Sequence, residues 1–227
     1  MKLSVVMPAY NEEATIEEIV GRVLSSGVDV ELIVVDDAST DRTAELAQRC
    51  SARDGRMRLL RHDVNQGKGA AVRTGLASVT GDVVLIQDAD LEYDPADYPA
   101  LLKPLERGDA DVVFGSRYLG PHACLPLYYY VGNKMITWWF NLLYGTSLSD
   151  VLTCYKAFRR GLVGAETLRS SGFSFDVELP ARLVRARARV FEVPIYYGAR
   201  NAQQGKKIRW WHGFAIGWAA LRFRLFH

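Results

Sequence analysis

Residues 3–24 read LSVVMPAYNEEATIEEIVGRVL: a β-rich apolar run, a polar turn, then an apolar pattern of helical period. Leu3 to Met7 has the near-continuous apolar character of a strand covered on both faces. Ile16, Ile19, Val20, Val23 and Leu24 fall at i, i+3, i+4, i+7 and i+8, one face of a helix. Asn11 is placed to cap that helix, Glu12 and Glu13 suit its first turn, and Gly27 ends it. The unit then recurs. Apolar runs at Val30–Val35, Met57–Leu60, Val83–Ile86 and Val112–Phe114 alternate with helical patterns ending near Ala52, from Gly67 to Val79, and from Pro95 to Glu106. Four alternations of strand and helix predict an α/β fold with a doubly wound, mostly parallel sheet.

Composition narrows the class. The 227 residues are 49% hydrophobic and 24% charged, enough for one sizeable core. Nineteen Gly and eight Pro exclude collagen-like and low-complexity chains. Cys50, Cys124 and Cys154 are widely spaced, so neither a disulfide framework nor a zinc cage is expected, and a reducing compartment fits. No signal-type stretch and no run of about 18–20 apolar residues is present, so the expectation is a soluble, cytoplasmic chain. The net charge of +2 conceals an asymmetry. Fourteen of the 28 Lys and Arg follow Asp150 against four of the 26 acids, leaving that stretch at +10 and the first 150 residues at −8. Nucleic acid, a phosphorylated ligand and an anionic membrane surface are all partners such a field would suit.

After Gly115 the pattern changes. Leu125 to Tyr144 is rich in Tyr and Trp but broken by Gly132, Asn133, Lys134 and Asn141, and reads as an amphipathic helix. Asp176 to Arg187 reads as another helix, Val190 to Tyr197 as extended chain, and Ile208 to Phe226 as a basic, aromatic tail. No linker or repeat divides the sequence. A single domain, 1–227, is expected, with a ligand-binding half at 1–118 and a basic half at 119–227.

Ligands of parallel α/β sheets bind beyond the carboxyl ends of the strands. The residues there are Pro8-Ala9-Tyr10-Asn11-Glu12, Asp36-Asp37-Ala38-Ser39-Thr40-Asp41, Gln87-Asp88-Ala89-Asp90 and Gly115-Ser116-Arg117. Caps and turns explain Asn11, Ser39 and Thr40 without any function. They do not explain Asp88 with Asp90, two carboxylates that repel unless a cation lies between them. Mg²⁺ or Mn²⁺, sharing such carboxylates with diphosphate oxygens, fits that pair. Asn65 to Arg73 opens the third helix. Gly67 and Gly69 suit either close approach to an anion or a tight turn, and Lys68 has no assigned partner. The four histidines match no ligand spacing and read as structural or surface residues.

The ordered set Val6 to Glu12, Asp36 to Asp41, Asn65 to Ala71 and Asp88-Ala89-Asp90-Leu91 resembles the family 2 glycosyltransferases, most closely their dolichol-phosphate mannosyltransferase branch. Gly115-Ser116-Arg117, Ser149-Asp150, Glu192 to Ile195, Arg200 and Gly205 to Ile208 extend the match over nearly the whole chain. The resemblance implies a GT-A fold holding a nucleotide-diphosphate sugar, either GDP-mannose or a UDP-sugar. It places Pro8, Tyr10, Glu12, Val35 and Asp37 around base and ribose, and Asp88 and Asp90 on Mg²⁺ or Mn²⁺ with Ala89 in backbone contact. Arg117, Arg200 and Lys206 or Lys207 would contact phosphates. Thr153-Cys154-Tyr155-Lys156 departs from the Gly-Phe-Arg of many relatives, on the expected acceptor side.

The implied reaction is displacement at the anomeric carbon with inversion. A polyprenyl phosphate is already anionic at neutral pH and needs no general base. A saccharide hydroxyl needs one, and Asp150 is the candidate by motif, although a helix cap or an arginine partner reads equally well there. The expected catalytic set is Asp90, Arg117 and Asp150. A lipid acceptor would bring the aromatic stretches to the cytoplasmic face of a membrane, where Trp and Tyr are at home; core packing is the plainer use for them. With no spanning helix, the chain is open to a membrane-embedded protein partner. A sugar-nucleotide pyrophosphorylase is disfavoured because Pro8 to Glu12 is not its Gly-rich loop. A non-catalytic nucleotide-sugar-binding protein is disfavoured by the presence of Asp88, Asp90 and Arg117, and no recognition module points to nucleic acid.

Overall fold

The computed structural model describes residues 1–124, 126–172, 174–198 and 212–226. Strands β1 (Leu3–Ala9), β2 (Val30–Asp36), β3 (Met57–Arg61), β4 (Val83–Ile86), β5 (Val112–Ser116), β6 (Lys156–Arg159) and β7 (Val190–Pro194) form one sheet in the order β3-β2-β1-β4-β6-β5-β7. Helices α1 (Ile16–Leu24), α2 (Thr43–Arg53), α3 (Lys68–Leu76) and α4 (Tyr98–Glu106) link the first five strands. Helices α5 (Leu127–Tyr144), α6 (Phe175–Arg185) and α7 (His212–Phe226) complete the fold.

The continuous apolar runs are strands buried on both faces: every residue of β2, β4 and β5 is buried. Helix α1 buries Ile16, Ile19, Val20 and Val23, the expected face. Each such side chain contributes about 1.5–3 kcal/mol of burial. The outer strands β3 and β7 are partly exposed, as edges are.

Two local expectations are corrected, and one strand was not anticipated. Asn11 does not cap α1, which starts at Ile16 after Thr15. It sits at φ 53°, and its side-chain oxygen accepts from the Thr40 amide at 2.9 Å, tying the turn after β1 to the turn after β2. The segment from Lys156, for which the sequence pattern announces no element, forms β6, antiparallel to both neighbours, with Leu85 and Val113 both opposite Ala157. Its four residues include two cations, so no apolar run announces it. Finally, α5 lacks the polar outer stripe of an amphipathic helix: Tyr128, Val131, Met135, Trp138 and Leu142 are all exposed, whereas α7 exposes Arg222 and Arg224 beside Trp218. No helix among the described residues is long and apolar enough to cross a membrane.

Candidate active site

Every strand but β6 runs in the same direction, so the polar residues after β1, β2, β4 and β5 gather at one end of the sheet. Pro8 pairs with Val35 in the register and Ala9 with Asp36, which sets Tyr10 beside Asp37 as the chains leave the sheet. The Thr15 hydroxyl lies 3.0 Å from the Ala89 carbonyl and 3.1 Å from a Glu12 carboxylate oxygen, joining the β1 turn to the Asp88–Asp90 loop.

Asp37 is buried and committed to its own chain. Its carboxylate accepts from the Gln66 and Gly67 amides at 2.9 and 2.7 Å and lies 2.7 Å from His62 Nδ1, while His62 Nε2 reaches Thr74 at 2.8 Å. The loop before α3 is thus hung from the end of β2. Its glycines serve packing. Gly67 has φ +89°, and a Cβ on Gly69 would lie 2.2 Å from the Ser170 carbonyl oxygen. The Gly69 amide donates to the Ser171 carbonyl at 2.7 Å, so the start of α3 is closed by protein rather than open to an anion. Buried Glu178 in turn accepts from the Arg169 and Ser170 amides at 2.8 and 2.7 Å.

Lys68 finds its partners here. Its ammonium lies 2.8 Å from Asp88 and 3.5 Å from Asp176 at the start of α6. Burial works against the charge on Lys68, but Asp176 and Asp88 outweigh it and raise its pKa well above the ordinary lysine value. Asp88 is likewise opposed by burial, yet Lys68 holds its pKa below the usual range. The backbone at Asp88 is fixed from beneath. Buried Gln87 donates from Nε2 to the Asp88 carbonyl at 3.0 Å, and its own oxygen accepts from the Tyr98 and Tyr155 hydroxyls at 2.8 and 2.7 Å. Asp90 accepts from the Glu92 amide at 3.1 Å.

At the end of β5, Arg117 and Asp150 form a bidentate pair, Nε–Oδ2 2.7 Å and Nη2–Oδ1 2.8 Å, with the Arg117 amide also on Oδ2 at 3.2 Å. Asp150 is 0% exposed and Arg117 7%. Burial opposes the guanidinium charge and Asp150 more than restores it, so Arg117 stays charged. Glu192 fixes the loop bearing Asp150 through the Ser149 amide at 2.8 Å, and the Ser149 hydroxyl lies 2.6 Å from that of Ser116. The Arg117 guanidinium stands 5.2 Å from the ring centre of Tyr197, whose hydroxyl donates to Glu92 at 2.8 Å. That chain of contacts links the Arg117 pair to the Asp88–Asp90 loop.

Pro8, Tyr10, Glu12, Val35, Asp37, Asp88, Ala89, Asp90, Arg117 and Asp150 therefore share one end of the sheet. Arg200, Lys206 and Lys207 lie outside the described residues. Sequence reasoning named Gln87, Asp176 and Lys156 without giving them a role, and missed the clamping roles of Glu178 and Glu192, because a buried polar group is identified by partners distant in the chain. Lys156 lies buried on β6, donates to the Thr153 carbonyl, and has its pKa lowered by burial. Burial pushes the Cys154 thiol up, away from reactivity. Among the described residues no three His, Cys, Asp or Glu side chains are grouped to hold a metal by themselves. Two carboxylates from one loop do fit a hard cation that completes its shell with phosphate oxygens and water.

Residues 4–163 match Glycosyl transferase family 2. A dolichol-phosphate mannosyltransferase of Pyrococcus furiosus is 32% identical over 91% of this chain and 59% of its own length. An undecaprenyl-phosphate mannosyltransferase of Micrococcus luteus is 29% identical over 99% of both chains. A low-salt glycan biosynthesis hexosyltransferase of Haloferax volcanii is 33% identical over 98% of this chain, which spans 53% of that protein. Among solved structures, glucosyl-3-phosphoglycerate synthase of Mycobacterium tuberculosis superposes with TM-score 0.71 at 26% identity, covering 98% of this chain and 80% of that one. The same enzyme in complex with Mn²⁺, UDP and phosphoglyceric acid gives TM-score 0.71 at 25% identity, over 98% and 78%. With its mostly parallel seven-stranded sheet of GT-A type and a family match across most of its length, the chain belongs to glycosyl transferase family 2.

Proposed function

We propose that the chain transfers a hexosyl group, with inversion, from a nucleoside-diphosphate sugar to a polyprenyl phosphate at a membrane surface. The observation that carries the acceptor assignment is the Arg117–Asp150 pair. Both Asp150 oxygens are taken by a buried guanidinium, so the one carboxylate suggested by motif as a general base is committed elsewhere. An acceptor that arrives as an anion needs no base, and a phosphate monoester is such an acceptor. Relatives named as polyprenyl-phosphate mannosyltransferases support the same reading.

In this reading Pro8, Tyr10, Glu12 and Val35 line the base and ribose, while Asp37 braces the wall by holding the Gln66–Gly67 amides. Asp88 and Asp90 would hold Mg²⁺ or Mn²⁺, which neutralises charge on the departing diphosphate. Arg117 offers its remaining guanidinium edge to phosphate, with Arg200 and Lys206 or Lys207 as further phosphate contacts. A lipid-borne acceptor makes the chain peripheral, working at the cytoplasmic face of a bilayer.

The test is transfer by the purified protein with Mn²⁺ or Mg²⁺, a panel of GDP- and UDP-sugars, and a short-chain polyprenyl phosphate. Metal-dependent formation of the lipid-linked sugar, lost in Asp90→Asn, is the expected result. Transfer only to a saccharide hydroxyl would overturn the acceptor, and turnover retained in Asp90→Asn would remove the metal role.

A further inference from the structure

Asp37 follows the end of β2, and its position is fixed from several sides. Its amide donates to the Ala9 carbonyl at 2.8 Å, and its carbonyl accepts from Asn65 Nδ2 at 3.2 Å. A carboxylate offers roughly four lone pairs, two on each oxygen. Oδ1 accepts from the Gln66 amide at 2.9 Å and lies 2.7 Å from His62 Nδ1. Facing a group that only accepts, Nδ1 is the ring nitrogen that carries the proton. Both pairs of Oδ1 are therefore filled. Oδ2 accepts from the Gly67 amide at 2.7 Å and from no other group among the described residues, so one pair is left. Only 4% of the Asp37 side chain is open, which admits a single atom rather than an edge of two.

His62 is held in turn. Its amide donates to the Asp36 carbonyl at 2.9 Å, and Nε2 lies 2.8 Å from the Thr74 hydroxyl of α3. The ring is buried between β2 and α3, so its bond to Asp37 is a fixed part of the site.

The function proposed above puts a nucleobase at this end of the sheet and leaves guanine and uracil as alternatives. They differ in the N–H groups they present. Guanine carries N1–H and its 2-amino group side by side, a pair that a carboxylate takes with one lone pair on each oxygen. Uracil carries N3–H alone, between two carbonyls. With Oδ1 filled, Asp37 can complete one such bond and not two. Guanine would be left with a buried N–H that has no acceptor, and an unpaired polar group is what a binding site rejects most strongly.

We infer that His62 sets the base specificity of the sugar-nucleotide site. By filling the second pair on Asp37 Oδ1 it leaves an acceptor for one N–H, so the sugar donor is carried by uridine diphosphate rather than guanosine diphosphate. The inference rests on the nucleotide-sugar reading above and narrows it. His62 acts through Asp37 and is a positioning residue.

The experiment is calorimetric titration of the full chain, with Mn²⁺ present, by UDP, GDP and inosine diphosphate. Inosine diphosphate decides the matter, because its base has the size of guanine but only the N1–H. UDP and inosine diphosphate should each bind at least about tenfold more tightly than GDP, the effect of one unpaired N–H. In His62→Leu the carboxylate is free to turn and offer a pair on each oxygen. The advantage of inosine diphosphate over GDP should then fall to about threefold or less. His62→Asn, whose Nδ2 stands where Nδ1 stood, should keep the full advantage. A ring that merely tied the loop to the sheet would weaken all three nucleotides together in His62→Leu, with their ratios unchanged, and that result would overturn the inference. So would wild-type protein that binds GDP as tightly as inosine diphosphate, a comparison that stands even where His62→Leu fails to fold. Tight binding of GDP would leave the transferase reading intact, since a GDP-sugar would then be the donor. Wild-type protein that binds none of the three would overturn the inference and the nucleotide-sugar reading together.

Discussion

Lys68 is held between Asp88 at 2.8 Å and Asp176 at 3.5 Å, so the carboxylate proposed for the metal already has a cation beside it. Lys68→Met keeps the bulk and removes the competing charge. Mn²⁺ titrated without nucleotide and followed by electron paramagnetic resonance should bind at least about fivefold more tightly to this variant. Unchanged or weaker binding would show that the lysine does not compete. The Arg117–Asp150 pair predicts the opposite kind of effect. Asp150→Asn leaves a buried guanidinium without its counter-charge and should cost about 3–5 kcal/mol in urea denaturation. A loss below about 1 kcal/mol would mean that water reaches the pair. Asp88 and Asp90 were legible in the sequence because two adjacent carboxylates at a strand end demand an explanation. The partners of Lys68 were not, and for Asp150 an arginine was only one of the readings. Asp88 and Asp176 lie 20 and 108 residues from Lys68, and Arg117 33 from Asp150, and they meet only through tertiary packing.

At the scale of the element, α3 shows how one kind of substitution changes sign with its surroundings. A Cβ on Gly69 would stand 2.2 Å from the Ser170 oxygen, and Glu178 pins the Ser170 amide so that the segment cannot yield. Gly69→Ala should therefore destabilise by about 1–3 kcal/mol. Gly21 in α1 has nothing within 4 Å of its Cβ position, and Gly21→Ala should stabilise by about 0.5–1 kcal/mol. Thermal melts of the two variants check both signs. Elements were legible where a periodic apolar pattern met a clear break, as in β1, α1 and β2. Strand β6 was not, because Lys156 and Arg159 occupy half of it and the burial of Lys156 depends on groups elsewhere in the fold.

For the molecule as a whole, one buried cluster runs from Leu3 to Phe223 and draws on both halves of the chain. We therefore expect a single cooperative thermal transition, coincident in near- and far-ultraviolet circular dichroism. A chain cut after Tyr118 should not fold, since it lacks β6 and β7 and leaves β5 with no neighbour. Two transitions, or a folded 1–118 fragment, would instead make the halves separate units. The acidic front and basic back were visible in composition. What composition could not convey is that Arg185, Arg187 and Arg224 of the basic half meet where α5, α6 and α7 end.

The placement of β6 also bears on the birth of the protein. β4 emerges from the ribosome ending at Ile86, but the strand that covers its outer edge ends only at Arg159. At roughly 5–20 residues per second, that edge waits for about 4–15 s of synthesis before its partner exists. Strand β5 is made in the interval and cannot substitute, since the finished sheet keeps β6 between them. A nascent chain stalled between these two points would display an apolar strand with open hydrogen-bonding groups, the kind of surface on which chaperones act and aggregates start. Slowed translation across residues 87–155 should therefore lower the soluble yield more than the same delay placed after Arg159.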